Sequence, residues 1–421
     1  MIAEPRFTDY QIHEFANGLR LVHKQVPSTK IVHCGFILDV GSRDEAPHQQ
    51  GIAHFWEHMA FKGTEKRKAF HIINRLEILG GEINAYTTKE KIAFHASLLA
   101  DHFPKAVDLL ADIMFFSTFP KKEIEKEKGV IMEEMAMYLD SPDDAIQDEF
   151  DELMFPNHSI GKNILGTEAS VQSFQQADFQ QFYRENVDTS RLIFSVVGPF
   201  DLATVIKKAA PFLENAPVLQ ASRTRTAPVD FYPKVETVRK PITQAHLLMG
   251  WRAFPLHHPG RLPLFLLNNI LGGPALNSRL NLSIREKYGL VYAVESSYSP
   301  FLDTGTLSVY LGTEQKNLEK ATRLVWKEID KLKENLLTTT QLHNAKEQIK
   351  GQLAMAEESN LNLMLMLGKS ILDQGRVESL PEIFSAIDAL TPSQLRDVAN
   401  EILQPSTLVQ LTYLPEKQGR S

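Results

Sequence analysis

The two sides of this 421-residue chain resemble each other, and that repetition restricts the fold more than any other feature. The first half runs from an alternating apolar stretch, KIVHCGFILDVGS, through a polar loop to a helix over 52–60. The strand-like INAYTTKEKIAFHASL and the helix DHFPKAVDLLADIMFF follow. The second half repeats this order with QAHLLMGWRAFP, a helix over PLFLLNNIL, the strand-like VYAVESSYS and TLSVYLGT, and the helix NLEKATRLVWKEIDKL. An offset of 214–215 brings Gly35 onto Gly250, Ala93 onto Leu307 and Ala106 onto Ala321. A period-2 run followed by a 3.6-period run, given twice, predicts two homologous α+β domains in which a mainly antiparallel sheet packs with helices. The expected limits are a first domain over 1–213, a linker over 214–232 and a second domain over 233–421. The linker, ENAPVLQASRTRTAPVDFY, mixes Pro, Ser, Thr and Arg without periodicity and is expected to be exposed.

Composition narrows the class without choosing a function. An apolar fraction of 43% and a charged fraction of 23% suit a globular protein and exclude a disordered chain. The net charge of −7 argues against a nucleic-acid binder, which needs clustered Lys and Arg. The single cysteine, Cys34, excludes an intrachain disulfide and a cysteine-based zinc site. MIAEPRFTDYQ lacks the basic and apolar regions of a signal peptide, and the apolar run LNLMLMLG is far shorter than a membrane span. A cytoplasmic protein without membrane association is the expectation.

The segment GIAHFWEHMAFKGTEKR carries the chemistry. Residues four apart on a helix lie about 40° apart around its axis. His54 and His58 therefore share a face and can converge on one metal ion. Glu57 projects near the same side and can stand beside the metal without binding it. This is the H-x-x-E-H order, the inverse of the commoner zinc-protease motif. Two histidines leave a catalytic zinc one protein ligand short, and a carboxylate is the usual completion. The helix KKEIEKEKGVIMEEMAMYL offers Glu123, Glu125, Glu127, Glu133 and Glu134. Glu127 and Glu134 are seven apart and share a face, as one ligand and one supporting carboxylate would. A helical His pair alone is more often packed or solvated, and a Glu-rich helix is by default a solvated face. Their combination and spacing carry the reading.

HFWEHMAFKGTEKR followed by Glu134, seventy-six residues after His58, resembles the pitrilysin/insulinase family of zinc peptidases. The likeness extends over nearly the whole chain, through GGEINAYTTKEKIAF, GLVYAVESSYS and the late segment IKGQLAMAEESNLNLMLMLGKSILDQG. It implies one Zn2+ per chain held by His54, His58 and Glu134, with Glu57 as general base and Glu127 as the supporting acid. At the 214 offset His54 meets Asn268, Glu57 meets Leu271 and His58 meets Gly272, so the second domain is expected to lack the metal. In the family that half supplies an Arg/Tyr pair to the substrate, and Arg285 and Tyr292 match it. On residue type alone, the two read as a surface Arg and a core Tyr.

The resemblance implies a zinc metalloendopeptidase acting on extended or unstructured peptides. The strand around Asn84, Ala85 and Tyr86 would bind them by strand addition, which is tolerant of sequence. An open edge of this kind invites aggregation unless enclosed. Family members close a chamber from two duplicated units, and this chain holds one. A homodimer is therefore expected and is self-sufficient, while a heterodimer with a related subunit is compatible with the same residues. A non-catalytic scaffold and a partner-dependent presequence-processing subunit of the same fold are the alternatives.

Overall fold

The structure is a computed structural model that describes residues 10–221 and 223–416. Two compact units are present. The first is built on a six-stranded sheet of β1 (Gln11–Glu14), β2 (Arg20–Gln25), β3 (Ile31–Leu38), β4 (Glu82–Thr87), β5 (Ile92–Leu99) and β6 (Leu192–Gly198). The second carries β7 (Lys234–Lys240), β8 (Ala245–Arg252), β9 (Val291–Pro300), β10 (Gly305–Thr313) and β11 (Val409–Pro415). The strand orders are β1-β2-β6-β3-β5-β4 and β7-β11-β8-β10-β9. Without β1 they are the same order. Each sheet is antiparallel except for one parallel pair, β2 with β6 and β11 with β7. The duplication expected from the sequence is thus present strand for strand, in an α+β fold.

The compact units do not follow the contiguous halves. Of the described residues, the first unit gathers 10–135, 162–221, 223–225 and 354–380, and the second gathers 136–161, 226–353 and 381–416. Each half of the chain lends the other's sheet one helix. In the first unit the helix Asn360–Gln374 places Leu363, Met364, Leu367 and Ile371 against Val22, Ile37, Ile193 and Val197. In the second, the helix Pro142–Met154 places Ile146, Phe150 and Met154 against Leu248, Leu411 and Tyr413. The physical reason lies in the strands. β3, β5 and β6 are apolar at successive positions, not at alternate ones. Cys34, Phe36, Phe94 and Phe194 face one core while Ile37, Ala93 and Ile193 face another, so both faces must be covered. The lent helix covers the second face.

Within the mid-chain segment, two side chains depart from the exposure expected of it. The side chains of Arg223 and Arg225 are only 6% exposed, because both are ion-paired to Asp39 and Asp44 at the end of β3. A stretch without periodicity reads as solvated, but here two guanidiniums neutralise buried carboxylates within the first unit.

Candidate metal centre

The helix Ile52–Ala60 is positioned by its apolar side. Ile52, Phe55, Trp56 and Met59 are buried in the first core. Trp56 meets Phe94 of β5 edge-on, and Phe55 meets Phe179 in the same way. Such pairs add directional contacts to area burial. With that face anchored, His54, Glu57 and His58 are turned together toward the Glu-rich helix Lys121–Leu139. The two imidazole centroids are 4.6 Å apart.

His54, His58 and Glu134 each offer a ligand atom within 4.8 Å of the others, and they are the only such group among the described residues. Nε2 of His54 is 3.7 Å from Oε1 of Glu134, and Nε2 of His58 is 3.6 Å from Oε2. Both separations are too long for hydrogen bonds. A tetrahedral zinc with bonds of about 2.1 Å would hold its N and O ligands about 3.4 Å apart. Burial first, and the neighbouring His58 second, hold the His54 imidazole down to about 3, so it is neutral and its lone pair is free. Its Nδ1 is buried and has no hydrogen-bond partner among the described residues.

A second layer orients the first. Nδ1 of His58 lies 2.9 Å from Oε1 of Glu127. A carboxylate there accepts a hydrogen bond from Nδ1–H, which leaves the Nε2 lone pair facing the Glu134 carboxylate. Two acceptors confronting each other across 3.6 Å suit a cation between them. Lys62 donates to the other Glu127 oxygen at 2.6 Å. Burial raises the Glu127 carboxyl, but the hydrogen bonds from His58 and Lys62 outweigh it and keep it below the usual range. Glu57 is not in the ligand group. Its Oε2 accepts from the Thr87 hydroxyl at 2.6 Å, and burial leaves its carboxyl raised despite that bond. The donor set and its support fit zinc, which His54, His58 and Glu134 would hold.

The structure therefore brings together five residues singled out in the sequence: His54, Glu57, His58, Glu127 and Glu134. Asn84, Ala85 and Tyr86 lie on β4, the terminal strand of the sheet, whose last residue is Thr87. The Ala85 N–H donates to Oδ1 of Asn84, and the Tyr86 ring lies under the Lys369 ammonium, 4.9 Å from its centroid. Arg285 and Tyr292 belong to the second unit. Arg285 is exposed on the π-helical turn Asn281–Glu286, and Tyr292 on β9 is 80% exposed, which removes the reading of Tyr292 as a core residue. Lys62 and Thr87 escape the sequence reading. Lys62 stands four residues beyond His58, and Thr87 shares the strand parity of Ile83 and Ala85, so each had a weak periodic signal.

The second unit repeats the helices without the ligands. Glu134 and Gln352 occupy the same position in two 19-residue helices, Lys121–Leu139 and Thr339–Glu357. Nδ2 of Asn269 donates to Oε1 of Gln352 at 2.6 Å. This pair corresponds to His54 and Glu134 at an offset of 215 for the histidine. Asn269, one residue beyond the Asn268 expected at an offset of 214, is the residue that meets Gln352.

Residues 20–168 match the family described as insulinase (peptidase family M16), and residues 173–349 match the peptidase M16 inactive domain. A Bacillus subtilis protein named as an uncharacterized zinc protease is 35% identical over 92% of this chain and 94% of its own length. One from Streptomyces coelicolor, similarly named, is 32% identical over 96% and 89%. The crystal structure of a protease from Helicobacter pylori shares the fold with a TM-score of 0.89, at 21% identity over 96% of this chain and 99% of that one. With the family profiles divided between its two halves and relatives matched along almost its full length, the chain belongs to the insulinase family of peptidases, M16.

Proposed function

We propose that this chain is a zinc-dependent endopeptidase that hydrolyses extended or unstructured peptides inside a chamber formed by two subunits. The observation that carries the reading is the convergence of His54, His58 and Glu134, with Glu57 beside them and outside the ligand set. The naming of the relatives as zinc proteases supports it. Zinc bound there supplies Lewis-acid activation of the scissile carbonyl and of the attacking water. Glu57 takes the proton from that water and returns it to the leaving nitrogen. Its raised carboxyl suits a group that must both accept and release a proton near neutral pH. Thr87 holds one Glu57 oxygen and leaves the other for the water.

The peptide lies along β4 as an added strand. Asn84 covers the Ala85 N–H until a peptide carbonyl takes its place. Thr87 then links the strand that binds substrate to the base that activates water. Arg285 and Tyr292 are directed to substrate held at the metal site of the other subunit, Tyr292 as a donor to the developing oxyanion. The test is cleavage of a quenched unstructured peptide together with solution mass and zinc content. One zinc per chain, a dimer mass and internal cleavage are expected. Full activity at the monomer mass would remove the chamber, and absence of cleavage in zinc-loaded protein would remove the peptidase.

A further inference from the structure

The helix that bears the metal ligands starts without a cap of its own. It is preceded by Gly51, at φ 93°, which has no side chain to accept from the free N–H groups of the first turn. A residue outside the helix does this. Oε2 of Glu45 accepts from the Gly51 N–H at 2.9 Å, and Oε1 accepts from the Ala53 N–H at 2.9 Å. Both oxygens are spent on this one turn, and Ala53 is the residue before His54. Glu45 itself is buried.

The opposite side of the same turn is equally confined. A Cβ on Gly51 would lie 2.4 Å from the Leu165 carbonyl oxygen, and one on Gly166, at φ 80°, would lie 2.2 Å from that of Gln50. Ser170 donates to the Gln50 carbonyl at 2.7 Å. The loop that carries Glu45 is held in turn. Arg225 makes a two-pronged contact with Asp44, Nε to Oδ1 at 2.9 Å and Nη2 to Oδ2 at 2.8 Å. Oδ2 of Asp44 also accepts from the Gly41 N–H at 2.9 Å.

We infer that Glu45 is a positioning residue of the metal centre, its two carboxyl oxygens fixing the start of the helix that delivers His54, Glu57 and His58. The inference rests on the zinc reading above. Glu134 stands on a different helix, so any shift or fraying of the first turn changes the His-to-Glu spacing directly. Metal sites tolerate little such displacement.

The test uses the full chain and zinc itself. Glu45→Gln keeps the size but offers one acceptor where two are needed, and Glu45→Ala offers none. Zinc affinity is read by competition with a chromophoric chelator, and thermal unfolding is read in chelator. Asp201→Ala is the control, since Asp201 caps the remote helix Leu202–Leu213 through the Thr204 N–H. About tenfold weaker zinc binding is expected for E45Q, a larger loss for E45A, and parent-like binding for D201A. Parent-like affinity in both Glu45 variants, or an equal loss in D201A, would overturn the role. If E45Q does not fold, Glu45→Asp keeps the carboxyl group but reaches one N–H, so intermediate affinity supports the role and parent-like affinity refutes it. His58→Ala separates the two levels. If it keeps zinc, the metal assignment falls and this role with it; if it loses zinc while the Glu45 variants do not, Glu45 alone falls.

Discussion

In the first unit His54, His58 and Glu134 face one another across 3.6–3.7 Å without hydrogen-bonding. In the second unit the matching pair, Asn269 and Gln352, closes to 2.6 Å and hydrogen-bonds. Neutral amides carry both donors and acceptors, so one can donate directly to the other. A neutral imidazole lone pair and a carboxylate are both acceptors and need a cation between them. The helix lengths differ too. His58 lies inside the helix Ile52–Ala60, whereas four residues past Asn269 the chain has reached Gly273, the C-cap of Arg261–Gly272, with ψ 179°. Where the first unit places a second ligand, the second unit has no helix left. The two units share the strand order, while a change of side-chain chemistry and one early helix end leave the second without a His–His–Glu group.

The contrast breaks most decisively at the metal. His58→Ala should abolish zinc binding and activity together, read by elemental analysis and peptide cleavage. Glu57→Gln should keep zinc and lose about 10²–10⁴-fold in kcat, the loss expected of a proposed base that lies outside the ligand group. Near-normal turnover would remove its role as base.

Lys62 has a smaller effect in view. Lys62→Met leaves Glu127 without its nearby positive charge, and zinc affinity should weaken by up to about tenfold in a chelator competition. Acid provides another measure. The His54 imidazole in the metal-free fold titrates near 3, below its ordinary value of 6.5. The unfolded chain therefore binds this proton first. The associated stability is complete above 6.5 and is lost as pH falls toward 3. Denaturant melts of the metal-free protein between these limits should show the decline, and His54→Gln should reduce it.

The smallest effects belong to the second unit. Asn269→Ala should cost about 1 kcal/mol of stability through the lost hydrogen bond and leave zinc content unchanged. Asn269→His combined with Gln352→Glu should not create a second zinc site, because the position for the other histidine lies past the helix end. Two zinc ions per chain in that variant would show that side-chain chemistry alone separates the units.

Much of the site was legible because it is periodic. His54 and His58 at a spacing of four, and Glu127 and Glu134 at a spacing of seven, lie on single helix faces whatever surrounds them. The choice between the two glutamates was not a matter of periodicity, since both share a face. In the structure Glu134 faces both histidine Nε2 atoms while Glu127 meets Nδ1 of His58. Thr87 was hidden because its role depends on β4 lying beside the metal helix. Glu45 was hidden because it caps from a loop, where no period applies. Arg223 and Arg225 read as linker residues because ion pairing over more than 170 residues of sequence leaves no local pattern.

From sequence alone, then, come the duplicated strand and helix order, the helices that carry His54, His58 and Glu134, and the absence of such a group in the second half. These follow from local geometry, which a helix or strand carries with it. Tertiary structure alone decided that each half lends a helix to the other's sheet, that Asn269 and not Asn268 meets Gln352, and that Lys62 reaches Glu127, Thr87 reaches Glu57 and Glu45 reaches the Gly51 and Ala53 N–H groups. Those depend on which surfaces meet after folding. Two-faced apolar strands demand a cover, and only packing determines which segment of the chain supplies it.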